Sequence, residues 1–336
     1  MKYIDMHCDT LSIGMSEQKD CITKLEHSMV DIERLEQSGV AAQFFAIFLP
    51  QRNMPQWFGL QEMPGLEVLM QRMYDIFRVT LKKNEKRMAF AQSYEDLQKN
   101  ISLGKMSAFL TMENACLVNG KMENLKKFHD MGVSLMTLTW NDANCFGQNH
   151  SKDWSLMQTG LTEFGKEALL YMNELGIVID VSHLSDGGFY DVAKISKKPF
   201  VASHSNCRAL SPSTRNLTDD MIRLLAEKGG VSGINFEPTF LNTNQQDSFS
   251  RVSRMCDHIE HFIKVGGVEC VGIGTDFDGI GGKFEISDCT KMYLLFDELH
   301  RRGIGDDTID KIAFSNVTRV IKESMKAAAN VRLTES

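Results

Sequence analysis

The feature that most constrains this chain is a unit that recurs along it. An amphipathic helical stretch ends at glycine, and a segment rich in valine and isoleucine begins at once. Gly39 leads into residues 40–49, Gly132 into 133–140, Gly176 into 177–183, Gly229-Gly230 into 231–236, and Gly266-Gly267 into 268–276. Glycine suits the position just past a helix, where a left-handed backbone costs it little. Leu161, Phe164, Ala168, Met172 and Leu175 form one apolar stripe at helical spacing; Val252, Met255, Ile259 and Phe262 form a second, and Met292, Leu295, Phe296 and Leu299 a third. Adding residues 2–9, 105–113 and 199–204 gives eight near-continuously apolar strands, most of them separated by helices. A closed parallel (β/α)8 TIM barrel of the metal-dependent hydrolase type requires that pattern. An open doubly wound sheet has similar local patterns, so the strand count and the placement of polar residues decide for the barrel. Gly272-x-Gly274 follows a strand, but no helix opens on it, which excludes a dinucleotide fingerprint. Residues 1–336 read as a single catalytic barrel domain, with an extra helical segment within 50–104, near residues 60–82, packed outside the barrel.

Composition narrows the function class. With 43% hydrophobic and 24% charged residues the chain is an ordinary globular protein. A net charge of -7 argues against a nucleic-acid or anionic membrane partner and leaves a small-molecule substrate as the default. No apolar signal-peptide core, membrane-spanning stretch or lipid-anchor tail is evident. Eight scattered cysteines without a Cys-x-x-Cys pair read as reduced thiols, and the expected location is cytoplasmic.

In such a barrel the C-terminal strand ends converge on one mouth, so the chemistry is read from the residues that end the strands. Strand one ends with His7 and Asp9, two apart and on one face; strand three ends with Glu113, strand five with His183, strand six with His204, and strand eight with Asp276 and Asp278. Taken singly, each is more often a hydrogen-bonding strand end than a ligand. Taken together, buried imidazoles and carboxylates without a cation repel or stay unsatisfied. The set suffices for two divalent ions with one bridging carboxylate. Mixed nitrogen and oxygen donors fit zinc best, with manganese, cobalt and iron as alternatives. His27, His129, His258, His261 and His300 are assigned to charged, solvated helical segments. His150, in the loop after strand four, is kept as a candidate near the mouth.

Asp5-Met6-His7-Cys8-Asp9, Asp180-Val181-Ser182-His183, Ser203-His204-Ser205, Arg215-Asn216-Leu217-Thr218-Asp219-Asp220 and Gly272-Ile273-Gly274-Thr275-Asp276-Phe277-Asp278-Gly279, in this order, resemble the renal or membrane dipeptidase family of zinc peptidases. The resemblance spans nearly the whole chain and implies an amidohydrolase-like barrel with a binuclear zinc site. By motif, it places His7 and Asp9 on one zinc, His183 and His204 on the other, and Glu113 between them. Arg215 becomes the clamp for the substrate carboxylate and Asp276 the acid/base. Two cations sharing a bridging water would lower its pKa and give a hydroxide aimed at the peptide carbonyl. Arginine's planar fork suits a carboxylate, whereas its bland alternative is a surface salt bridge with Asp219 or Asp220. A homodimer is compatible with the resemblance.

Two departures stand out. Mammalian relatives carry Leu-Thr-His after strand four, a histidine thought to hold the substrate carbonyl; here Leu138-Thr139-Trp140-Asn141-Asp142 stands in its place. Trp140 offers one indole N–H, and either Asn141, Asn144 or His150 supplies the missing contact or turnover and substrate preference differ. Glu113-Asn114-Ala115 also replaces a glycine-rich turn. The leading expectation is a metallodipeptidase for dipeptides with a free C-terminus, L-L and by resemblance L-D. The alternative is a metal-dependent hydrolase of an N-acyl amino acid, β-lactam-like amide or lactone; a binding protein without turnover would lack a ligand, and none is missing.

Overall fold

The computed structural model describes residues 1–329; the tail segment read above for a lipid anchor lies almost wholly outside them. Eight parallel strands close on themselves: β1 (Tyr3–Cys8), β2 (Val40–Phe48), β3 (Met106–Glu113), β4 (Val133–Thr137), β5 (Val178–Asp180), β6 (Val201–Ala202), β7 (Val231–Ile234) and β8 (Val271–Ile273). Each pairs with its sequence neighbour, and β8 returns to β1 through Asp5 opposite Ile273. The expected barrel is therefore the observed fold. Gly39, Gly132, Gly176, Gly229 and Gly267 all take positive φ where helices give way to strands. Helix starts are as explicit: the side chains of Thr162, Ser185 and Thr218 each accept an N–H from three residues on.

The inward face of the strands changes character with height. Ile4, Met6, Ala42, Phe44, Phe109, Leu135, Val178, Val201 and Val231 make one buried apolar cluster. Val317, Val320 and Ile321 of the helix Asn316–Ser324 join it and close that end of the barrel. Higher on the same faces, side-chain alternation brings up Thr111 and Glu113 on β3, Thr137 on β4 and Asp180 on β5, all buried. Apolar filling thus gives way to polar groups toward the mouth. Gly274 is needed at that level, since a Cβ there would lie 1.7 Å from the Ser203 carbonyl oxygen.

The long interval after β2 holds the helix Leu66–Lys83, close to the expected place, preceded by a turn at Pro55–Phe58. A three-residue strand, Met88–Phe90, pairs with the start of β3 and was not foreseen, nor was the small pairing of Phe249–Ser250 with Lys283–Phe284. Residues 268–270 form a tight helical turn ahead of β8, where strand was expected.

Three histidine assignments need correction. His27 is exposed as expected but lies in an irregular loop between helices, not on one. His258 is fully buried, with Nδ1 accepting from the Cys207 N–H at 3.1 Å and Nε2 lying 3.0 Å from the Leu241 carbonyl. Three residues from Met255 and four from Phe262, it lies on the apolar stripe itself; its charged neighbours Asp257 and Glu260 point elsewhere. His129 is buried too, with Nε2 2.9 Å from the Lys326 carbonyl.

Candidate metal centre and active site

The end of β1 is bent before it reaches the mouth. Asp5 opposes Gln43 and Cys8 opposes Phe45, so β1 fits three steps against two on β2. This bulge changes the alternation: Ile4 and Met6 face the barrel interior below it, and His7 and Asp9 are delivered to the interior above it. His7 Nε2 lies 3.4 Å from Asp9 Oδ2 and 3.8 Å from both Glu113 Oε2 and Asp276 Oδ1. Neither ring nitrogen of His7, nor Asp9 Oδ1, has a hydrogen-bond partner, although all are buried.

A second group shares Glu113. Its Oε1 is 3.1 Å from His183 Nε2 and 3.6 Å from His204 Nε2, and the two imidazole nitrogens stand 3.0 Å apart. The far sides of both rings are engaged. His204 Nδ1 is 2.7 Å from Ser203 Oγ, which donates to Asp180 Oδ2 at 2.6 Å. His183 Nδ1 is 3.1 Å from Asn141 Oδ1. An amide oxygen can only accept, so His183 carries its proton on Nδ1; His204 does likewise if Ser203 gives its own to Asp180. Two Nε2 lone pairs then face each other and a carboxylate, a donor set that fits a cation and little else. His7, Asp9 and Glu113 converge in the same way, as do His7, His204 and Asp276.

The electrostatics agree. Burial pulls His7 down, but Glu113, Asp9 and Asp276 outweigh it and hold the imidazole up at about 10. Burial, with Asp9 adding repulsion, pushes Glu113 well up, and burial lifts Asp276 to about 7. His183 and His204 are driven well down by burial, with further repulsion from Arg215. The carboxylates want positive charge and the two neutral imidazoles offer lone pairs.

Asp276 and His183 both adopt positive φ, as do Asn114 and Asp278, so backbone strain gathers just past the strand ends. Asn114, which stands in place of the glycine-rich turn noted above, takes a positive φ, and its amide nitrogen ties back to the Leu49 carbonyl at 2.7 Å. Asp276 Oδ2 accepts from Asn235 Nδ2 at 2.8 Å, a partner the sequence did not single out. Asp278 turns away from the centre to Thr10, Ser28 and the Met29 N–H, and so pins loops together.

Arg215 is buried against the centre. Its Nη1 reaches Ser205 Oγ and its Nη2 the His204 carbonyl, each at 3.3 Å, while Nε has no partner. Asp219 and Asp220 are engaged by His261 and Tyr190, which removes the surface salt bridge as an explanation. A cavity of about 240 Å³ opens over this floor, lined by Asp9, Glu113, Asn141, His183 and Asp276 and walled by Phe48, Met54, Trp57, Trp140, Phe240 and Ile280. Met54 and Trp57 come from the long segment after β2, whose part in the mouth no sequence pattern announced. Neither Arg215 nor His150 is on the cavity wall: Arg215 lies against the His204 carbonyl and the Phe240 ring, and His150 stands behind Asn141, 2.9 Å from its Oδ1.

A closed parallel barrel whose mouth gathers histidines and carboxylates around a cavity defines a class of barrel hydrolases. Within it, residues 1–335 match the membrane dipeptidase family, peptidase family M19, and the chain belongs to that family. It is 31% identical over 304 residues to an uncharacterised dipeptidase of Schizosaccharomyces pombe, covering 88% of this chain and 72% of that one. Among solved structures it resembles a dipeptidase described as a family M19 metallopeptidase, with a TM-score of 0.87, 26% identity and coverage of 97% of this chain and 99% of that one. A metallopeptidase from Rhodobacter sphaeroides, bound to a phosphinate mimic of L-Ala-D-Ala, is 25% identical with a TM-score of 0.87, covering 96% of this chain and 99% of that one. No helix of the described residues is long and apolar enough to cross a membrane.

Proposed function

We propose that this protein is a metal-dependent dipeptidase for short substrates with a free C-terminal carboxylate, including L-D as well as L-L dipeptides. The observation that carries the reading is Arg215, a buried guanidinium without a carboxylate partner, beside two converging donor sets. A cationic fork in that position matches a substrate carboxylate, whose arrival would supply the missing anion. The Rhodobacter relative's ligand supports a D-residue at the carboxylate end.

His7 and Asp9 would hold one ion, His183 and His204 the other, and Glu113 both; their mixed donors favour zinc. Two such ions supply Lewis acidity for the carbonyl and a lowered pKa for the attacking water. The chain's own residues do the rest. Arg215 fixes the carboxylate, which places the scissile bond over the floor of the cavity. Asp276, held by Asn235, takes the water's proton and passes it to the leaving amine. Trp140 and the aromatic wall exclude water around the bond.

The test is turnover of matched L-L and L-D dipeptides and their C-terminal amides, with and without chelator. Chelator-sensitive cleavage of the free acids alone is expected. Equal cleavage of amides would remove the carboxylate clamp. The wall of Phe48, Trp57 and Trp140 favours a second reading, an N-acyl amino acid or lactone hydrolase, which cleavage of those compounds but of no dipeptide would establish.

A further inference from the structure

Trp140 leaves open which group steadies the substrate carbonyl. The structure separates the three candidates. Asn144 is fully engaged: its Nδ2 donates to Asn114 Oδ1 and the Leu138 carbonyl, and its Oδ1 accepts from the Phe146 N–H. His150 is spent between Thr214 Oγ1 and Asn141 Oδ1, each at 2.9 Å. Of the three, Asn141 both lines the cavity and keeps a free donor, since its Nδ2 has no hydrogen-bond partner among the described residues.

The orientation of that amide follows from its neighbours. Once a cation occupies Nε2 in the group formed with Glu113 and His204, the proton of neutral His183 sits on Nδ1 and is donated to Asn141 Oδ1. Thr214 can donate its hydroxyl proton to His150 Nδ1, which leaves His150 Nε2–H to donate to the same Oδ1. Two N–H groups on one face of the amide fix its oxygen there. A flipped amide would set its NH2 against both donors. His150 is itself anchored, because its backbone N–H donates to the His183 carbonyl at 2.7 Å.

We infer that Asn141 is a further substrate-contacting residue, its Nδ2 donating to the peptide carbonyl oxygen and to the charge that develops on it, and that His150 is the positioning residue that locks the amide in this orientation. The same Asn141 oxygen sets the His183 tautomer that leaves Nε2 free as a ligand. The inference rests on the dipeptidase reading for its substrate half, and on geometry alone for its ligand half. One side chain thus restores the donor that the tryptophan displaces, and it does so only while His150 and His183 hold its other end.

The experiment uses the full chain, with dipeptide kinetics and cobalt titration followed by visible absorption on each variant. Asn141→Asp keeps an acceptor for His183 and removes the donor: kcat should fall about 100-fold, with KM within a few-fold and both metals retained. Asn141→Ala removes both functions, so the same loss should come with one of two cobalt sites weakened about 10- to 100-fold. His150→Leu should lower kcat about tenfold at unchanged metal affinity, and His150→Gln, which restores a donor to Asn141, should recover most of that loss. Wild-type kcat in Asn141→Asp overturns the donor role, and two unweakened cobalt sites in Asn141→Ala overturn the tautomer role. Equal rates in the two His150 variants overturn the lock. If wild-type protein with two metals cleaved no dipeptide, the functional reading would fail first, and the cobalt titrations would still decide the ligand half.

Discussion

The two ends of the barrel are built from the same strands and solve opposite problems. At the closed end, Phe44 stacks on Phe109 with ring centroids 4.6 Å apart, and the cluster is sealed by Val317, Val320 and Ile321. At the mouth, His7, Asp9, Glu113, His183, His204, Arg215 and Asp276 are nearly as inaccessible, yet several of their polar atoms lack partners. The closed end therefore stabilises the fold, and the mouth draws on that stability to hold charge where ligands and substrate can use it. About 13 Å along one strand is enough for the change: β3 runs from Phe109 through Thr111 to Glu113.

The sharpest way to break this contrast is to change one residue at each end. Glu113→Ala should lower kcat/KM on the order of 10⁴-fold, about 5 kcal/mol of transition-state stabilisation, and reduce bound metal. Unfolding of the chelator-treated variant should show no loss of stability, since a carboxylate pressed up by burial and Asp9 has gone. Phe109→Ala should do the reverse, costing about 3–5 kcal/mol in denaturant unfolding while the folded fraction keeps its metal. A strong stability loss in the first variant, or metal loss in the second, would erase the division of labour.

Histidine sharpens the comparison, because His258 is as buried as His7 but fully hydrogen-bonded by backbone. Burial holds His258 down at about 4 against an ordinary value of 6.5. The unfolded chain therefore binds the proton more readily, and stability is full above pH 6.5 and lost as pH falls toward 4. The loss is roughly 3 kcal/mol at 1.36 kcal/mol per unit. His258→Gln should flatten the stability curve over that window; an unchanged slope would show that His258 is not its source. The smallest effect expected is at Arg215. Arg215→Lys should raise KM for free dipeptides about 10- to 100-fold with metal content unchanged, because a lysine keeps the charge and loses the fork. An unchanged KM would exclude the clamp.

The barrel was legible because five of the helix-to-strand junctions are punctuated by glycine and the strands are near-continuously apolar, a local signal that needs no tertiary knowledge. The candidate ligands were legible because strand ends meet at one mouth, so position along the chain stands in for position in space. What escaped has no such proxy. The β1 bulge that turns His7 and Asp9 inward depends on the register with β2. Asn235, Asp180 and Ser203 act through partners distant in sequence, and Met54 and Trp57 reach the cavity from a segment without strand periodicity. His258 was misplaced by its charged neighbours although its helical spacing already put it on the buried stripe.

The most direct test of the claim that the mouth is a two-ion hydrolytic centre is a metal titration of chelator-stripped protein, with bound ions counted and dipeptide turnover measured on the same samples. Turnover that rises to its maximum only as the second ion per chain binds is the predicted result. Full turnover with one ion or none would contradict it.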